Sequence, residues 1–285
     1  MALLTLLLAL LIERTSELGE KWQIYYWIEL LHRKVASFLE QTSASFFIVM
    51  AFLPALLTYL SLSTVKGVLF GLLSVILWVC FILLCISCVR YRALYKKYLL
   101  SICHKDPQAS YHNAEKLLDV DSLKVNDEPM LATRVGRQLT WINYRFYCAI
   151  VLMVIIGGPV AAVFYATLRT LDIMMFRQDV LPINAIRKTL FIIDWLPVRI
   201  VGFAYVLVGN FAHAVPVWIS LCSNLKLATY DVVSKVAMAA EQMSEPTEQD
   251  EVCISLTCRL VQLAKRTLGL LVALVSLLTI FGILM

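Results

Sequence analysis

"YCAIVLMVIIGGPVAAVFYATL", running from Tyr147 to Leu168, is the stretch on which the reading of this chain turns. Its 22 residues carry no charge, and about 20 such residues suffice for a helix to cross roughly 30 Å of hydrocarbon. Yet Gly157, Gly158 and Pro159 stand at its centre, where glycine weakens a helix and proline removes a backbone hydrogen bond. The stretch therefore predicts a membrane segment broken in its middle. Broken backbone survives in a bilayer only where protein or water satisfies its polar groups. A straight span would carry Arg169, Arg177, Arg187 and Lys188 away from the side that holds Arg145. Basic residues tend to remain on the cytoplasmic side, so the pattern favours a broken, re-entrant hairpin that brings them back.

The rest of the chain agrees with a membrane setting. Of 285 residues 60% are hydrophobic and 16% charged, and mean hydropathy is +0.79. A water-soluble domain carries about 45–50% apolar and about 25% charged residues. The composition specifies an all-α polytopic membrane protein with four to six segments, organised as a single membrane domain over residues 1–285. Within it, residues 90–146 read as a cytoplasmic region of helices and loops, and residues 222–266 as a polar connecting region. Basic residues recur from Arg90, Arg92, Lys96 and Lys97 through to Arg145. They flank apolar segments and alternate with Asp119, Asp121, Asp127 and Glu128, which speaks for topology and against nucleic-acid binding. The implied setting is a membrane, with the lipid bilayer as a partner.

Met1 to Ile12 is apolar but short for a crossing, and lacks the basic start and small-residue cleavage site of a signal peptide. Ile24, Trp27, Ile28, Leu31, Val35 and Phe38 recur at helical spacing and predict an amphipathic helix lying along the bilayer surface. Phe46 to Leu62 and Gly67 to Val89 predict a helical hairpin turning near Ser63 to Lys66. Ile200 to Leu221 predicts a further span containing Asn210, His213 and Pro216. Ser244 to Glu251 reads as an acidic linker, and Leu268 to Met285 as a last span. The eight cysteines read as structural thiols: Cys80, Cys85, Cys88 and Cys148 lie in apolar runs, and Cys253 and Cys258 have no evident partners. The four histidines show no ligand spacing, so neither metal nor cofactor is expected.

Charges inside or beside apolar runs are the candidate functional residues. In "FIIDWLPVRI", Phe191 to Ile200, Asp194 predicts an N-cap and Pro197 the first turn of a helix starting at the membrane surface. Trp195 would lie at the headgroup boundary, and Arg199 would reach Asp194 or a phosphate. Arg169 and Asp172, three apart, can form an ion pair on one helix face. Asn143 and Arg145 stand before the broken segment, and Glu13 and Arg14 close the first apolar run.

In order, "LLIERTSELGEKWQ", "RQLTWINYRFY", "IIGGP", "DWLPVR" and "SLLTIFGILM" resemble the AmpE family of bacterial inner-membrane proteins, almost end to end. That resemblance implies a signalling component in the control of β-lactamase expression and the response to β-lactam antibiotics. More distantly the chain resembles the CobD/CbiB membrane synthases of cobalamin assembly, which join an amino-alcohol phosphate to a corrinoid carboxylate with ATP. There Asn143, Gly157, Gly158, Asp172 and the Pro197–Arg199 pair match family motifs, while a family Glu falls on Ile142 and a family Asp on Phe146. Losing two oxygen ligands speaks against metal-bound ATP chemistry. The resemblance thus implies a non-catalytic regulator whose Asn143, Arg169, Asp172, Asp194 and Arg199 bind an anionic or cell-wall-derived small molecule, its protein partner unspecified. A membrane enzyme that ligates or transfers a phosphorylated small molecule with ATP, using Glu13, Asp172 and Asp194, stands as the alternative. A transporter built on the broken hairpin, with Asn210 and His213 at depth, is a third reading.

Overall fold

The computed structural model describes residues 2–16, 19–37, 44–65, 71–118, 128–178, 183–224, 227–242 and 254–282. Twelve α-helices, a short 3-10 turn and a π-helical turn make up the described secondary structure. Four helical segments are long and apolar enough to cross a membrane: Ser45–Thr64, Leu131–Met174, Asn184–Val208 and Thr257–Ile280. A fifth arises if Leu72–Ile86 and Val89–Cys103, bent by 42°, count as one. This is an all-α polytopic membrane protein.

The chain forms two compact units, and several long helices pass from one to the other in sequence. Unit 1 contains 1–89, 146–193 and 272–285. Its helices are α1 (Ala2–Thr15), α2 (Ile24–Val35), α3 (Ala44–Thr64), α4 (Leu72–Ile86) and α8 (Ala149–Gln178). On α3, Ala51, Ala55, Thr58 and Leu62 recur at helical spacing and are buried, and α3 packs against α8, whose Ala162 and Ala166 are also buried. Small residues allow close helix approach where the hydrophobic effect cannot discriminate between lipid and protein. Pro54 lies inside α3 and cannot donate to the Met50 carbonyl one turn back, and the Thr58 hydroxyl donates to the Pro54 carbonyl at 2.8 Å, a back-bond that favours a bend in the helix. The break foreseen in α8 is present: Gly157 has φ −147° and Gly158 φ +64°, ψ −157°, a conformation that only glycine adopts readily. Trp78 of α4 lies 3.3 Å from where a Cβ on Gly158 would stand.

On α2 the buried residues are Ile24, Ile28, His32 and Val35, whereas Trp27, expected on the same stripe, is exposed. Its indole N–H donates to the Lys21 carbonyl at 2.9 Å, which ties it to the preceding turn. Phe38, also assigned to that stripe, lies outside the described residues, as do Lys66 to Gly67, Asp119 to Asp127, Ser244 to Glu251 and Cys253.

Unit 2 contains 90–145 and 194–271. Its helices are α5 (Val89–Cys103), α6 (Pro107–Leu117), α7 (Glu128–Asn143), α10 (Phe211–Ser223) and α11 (Thr229–Ala240). α9 (Ile183–Val208) and α12 (Ile254–Ile280) contribute their residues from 194 on and up to 271 respectively. Tyr98, Ala114, Leu117, Leu131 and Val135 form a small core that joins α5, α6 and α7. Asp106 caps α6 by accepting from the Ala109 N–H at 3.0 Å, with Pro107 at the first helical position.

Three expectations are corrected here. The span placed at Ile200 to Leu221 does not exist: α9 ends at Val208, and Asn210 caps a separate short helix by accepting from the His213 N–H at 3.3 Å. Gly209 makes the turn possible, since a Cβ there would stand 2.6 Å from the Ala240 Cβ and 2.7 Å from its carbonyl oxygen. Asp194 and Pro197 do not start a helix; both sit in the interior of α9, which begins at Ile183. The last span is longer than foreseen, because α12 begins at Ile254 and includes Lys265 and Arg266.

Candidate functional site

Between α7 and α8 the chain makes a π-helical turn, Tyr144–Cys148. Such turns insert one residue into the helical repeat, occur rarely, and concentrate at functional positions. The insertion redirects the side chains that follow it. The boundary between the units falls inside this turn, after Arg145, so each unit receives its own set of its residues.

In unit 1 the turn supplies Phe146 and Tyr147. The Arg169 guanidinium carbon lies 3.7 Å from the centre of the Phe146 ring, and its Nη2 donates to the Cys85 carbonyl at 3.0 Å. Arg169 is only 1% exposed. The Cys85 carbonyl is available because α4 ends at Ile86, freeing its last carbonyls. Tyr147 donates its phenol to Glu13 Oε1 at 2.9 Å, and the Tyr147 phenol oxygen lies 3.1 Å from Cys88 Sγ. Glu13 is 4% exposed, so it does not snorkel as interfacial carboxylates ordinarily do. These contacts join α1, the end of α4, the π turn and α8 through polar atoms in an apolar surrounding. Asp172 accepts from Arg187 Nε at 3.3 Å. That pair joins α8 to α9.

In unit 2 the turn supplies Tyr144, whose phenol donates to Asp194 Oδ1 at 2.6 Å. Asp194 is 2% exposed. Trp141 stacks on Tyr144 with centroids 5.3 Å apart, and the Arg145 guanidinium lies 5.3 Å from the Trp141 ring centre. Asn143 closes α7 immediately before the turn. Arg199 stands apart from Asp194. It donates to the Trp195 carbonyl at 2.8 Å and the Cys222 carbonyl at 3.4 Å, and covers the Trp195 ring at 4.3 Å. A helical residue four positions on places Arg199 over its own preceding turn, so it serves α9 and the end of α10 and not the buried acid.

The five residues singled out in the sequence thus divide: Arg169 and Asp172 belong to unit 1, and Asn143, Asp194 and Arg199 to unit 2. Tyr144, Tyr147, Cys88, Arg187 and the Cys85 carbonyl are partners that spacing along the chain does not reveal. The one local signal was the aromatic-rich "WINYRFY", which holds Tyr144 and Tyr147 but does not disclose the π turn.

Comparison with known proteins covers the whole chain. The sequence model of the family described as "Regulatory signalling modulator protein AmpE" matches residues 1–285. The "Protein AmpE" of Shigella flexneri is 31% identical over 294 residues, covering 99% of each chain. No solved structure matches.

Proposed function

The chain belongs to the AmpE family of regulatory signalling modulators, and from that membership we propose that it is a bacterial inner-membrane regulator of β-lactamase induction that acts without catalysis. The observation that carries the non-catalytic part is the guanidinium of Arg169 lying 3.7 Å from the Phe146 ring. In the proposed kinship with CobD/CbiB synthases, position 146 belongs to a carboxylate. Here an aromatic ring covers the cation where an acid would hold a metal, and Ile142, the second such position, is a buried hydrocarbon. A delocalised guanidinium is weakly hydrated and packs well on a ring, so Arg169 rests against Phe146 where a metal-binding acid would otherwise stand.

The ligand of the regulator, on this reading, is an anionic or cell-wall-derived small molecule such as a phosphorylated or muropeptide-like compound. Asn143, Arg169, Asp172, Asp194 and Arg199 remain the residues assigned to its recognition, as two groups in their separate units. The Asp172–Arg187 pair supports a responsive role. Arg187 is 48% exposed in its side chain and Asp172 12%, so an arriving anion can compete for the cation and release the acid, the kind of local charge change that drives membrane switches.

The test is an induction assay in a strain lacking the gene and complemented with wild-type, Arg169→Lys, Asp172→Asn or Arg187→Gln protein, with membrane levels matched by immunoblot. Wild type is expected to restore the β-lactamase response and Asp172→Asn to alter it at equal protein level. Equal induction with and without the wild-type gene would overturn the proposal. The enzymatic alternative keeps support from the burial of Glu13, Asp172 and Asp194, and ATP turnover by purified protein, abolished by Asp172→Asn, would replace the regulatory reading with it.

A further inference from the structure

We propose that the outer face of α5 is a docking surface for the anionic headgroups of a phospholipid leaflet. Its sequence, VRYRALYKKYLLSIC, contains four basic residues and no acid. At about 100° per residue, Arg90, Arg92, Lys96 and Lys97 fan over one half of the helix, and all four are exposed. The opposite half is committed: Leu94, Tyr95, Tyr98 and Ile102 pack into the core formed with Ala114, Leu117, Leu131 and Val135. The helix cannot turn its charges inward without emptying that core, so the basic half is held outward. Among the described residues Lys96 and Lys97 make no ion pair.

The place of α5 in the chain decides the partner. It begins at Val89, directly after the uncharged α4 ends at Ile86, with a bend of 42°. Arg90 follows the end of α4 by four residues across the non-helical Ser87 and Cys88, so at most about 13 Å of chain separates them, of the order of a physiological Debye length of about 8 Å. A basic cluster this close to the end of an apolar membrane helix meets the field of anionic lipids, which falls away within that distance. A nucleic acid has no such anchor in the fold. This inference stands independently of the regulatory function.

The experiment uses the full-length protein with a photocrosslinking amino acid at exposed Ala93, reconstituted in nanodiscs of equal phosphatidylglycerol and phosphatidylcholine. Adducts are expected to favour phosphatidylglycerol by at least about fivefold, the value of one Lys near an anionic surface. The preference should approach unity in Lys96→Gln/Lys97→Gln. Raising salt to about 1 M, where the Debye length shrinks to about 3 Å, should have the same effect with the lysines intact, so the result does not depend on how the variant folds. Equal adducts with both lipids in the parent protein, or a preference indifferent to salt, would overturn the proposal. So would a duplex oligonucleotide that captures the crosslinker ahead of either lipid.

Discussion

Arg169 in unit 1 and Asp194 in unit 2 are almost equally enclosed, at 1% and 2% exposure, but they are accommodated in opposite ways. The cation is spread over a broad plane and meets a ring face and a main-chain carbonyl. The anion is compact and accepts a short phenol bond of 2.6 Å. A guanidinium offers five donors and a polarisable face, so dipoles and rings can hold it. A carboxylate offers only acceptors and needs donors brought to it. In both units a neutral group is among the partners, and its contribution requires no second charge to be desolvated, a step that can cost more than an ion pair returns.

The largest effect expected from that contrast is at the cation. Arg169→Ala removes a charge-assisted hydrogen bond and a side chain packed on Phe146, a loss of about 3–5 kcal/mol, read as reduced resistance to unfolding in detergent. Arg169→Lys should recover less than half, because an ammonium has no face to lay on the ring. Full recovery by Lys would mean that charge alone matters, and the comparison would fail. At the anion, Tyr144→Phe leaves the ring and removes the phenol donor, at a cost of about 1.5–3 kcal/mol. In a double-mutant cycle with Asp194→Asn the second change should cost much less than it does alone. Additive costs would show that Tyr144 and Asp194 do not support each other.

The same contrast explains what the sequence could and could not disclose. The break at Gly157–Pro159 was legible because Gly-Gly-Pro acts locally, through backbone freedom and a missing N–H. The apolar length of α3 was legible for the same reason. Asp194 and Pro197 were misread as a helix start because that local grammar usually holds; inside α9 Asp194 accepts instead from Tyr144, 50 residues earlier. Glu13 reads as an interfacial acid until Tyr147, 134 residues later, is seen to donate to it. A π turn has no spacing signature of its own, so the element that distributes these contacts was invisible. Long-range partners of buried charges, and not the helices themselves, are what one sequence withholds.

Glycines give the next smaller test, since each unit contains one whose absent side chain shapes the backbone. Gly158→Ala should destabilise by about 1–3 kcal/mol, because φ of +64° with ψ of −157° strains any L-residue and Trp78 stands against the new methyl. Gly209→Ala should cost a comparable amount by forcing apart the contact with Ala240, to whose carbonyl the Asn210 N–H donates at 2.7 Å. Gly269 is the control: nothing lies within 4 Å of its would-be Cβ, and alanine there should stabilise α12 by about 0.5–1 kcal/mol. A stabilising Gly158→Ala would mean that the break in α8 is a straightened helix in the folded protein.

The smallest effect expected is a pH dependence from α2, outside the spanning segments. His32 is buried against the edge of Phe46, with ring centroids 5.4 Å apart. Burial lowers its pKa from the ordinary 6.5, and Glu29 on the same helix opposes the shift without cancelling it. The unfolded chain therefore binds more protons than the folded one in the acid range. The stability His32 contributes is complete above the ordinary histidine pKa of about 6.5 and declines as pH falls below it. Unfolding midpoints should drop between about pH 7 and pH 5, and His32→Phe should flatten that part of the profile while Glu29→Gln steepens it. An unchanged profile in His32→Phe would assign the acid sensitivity to another group and leave the docking of α2 on α3 independent of protons.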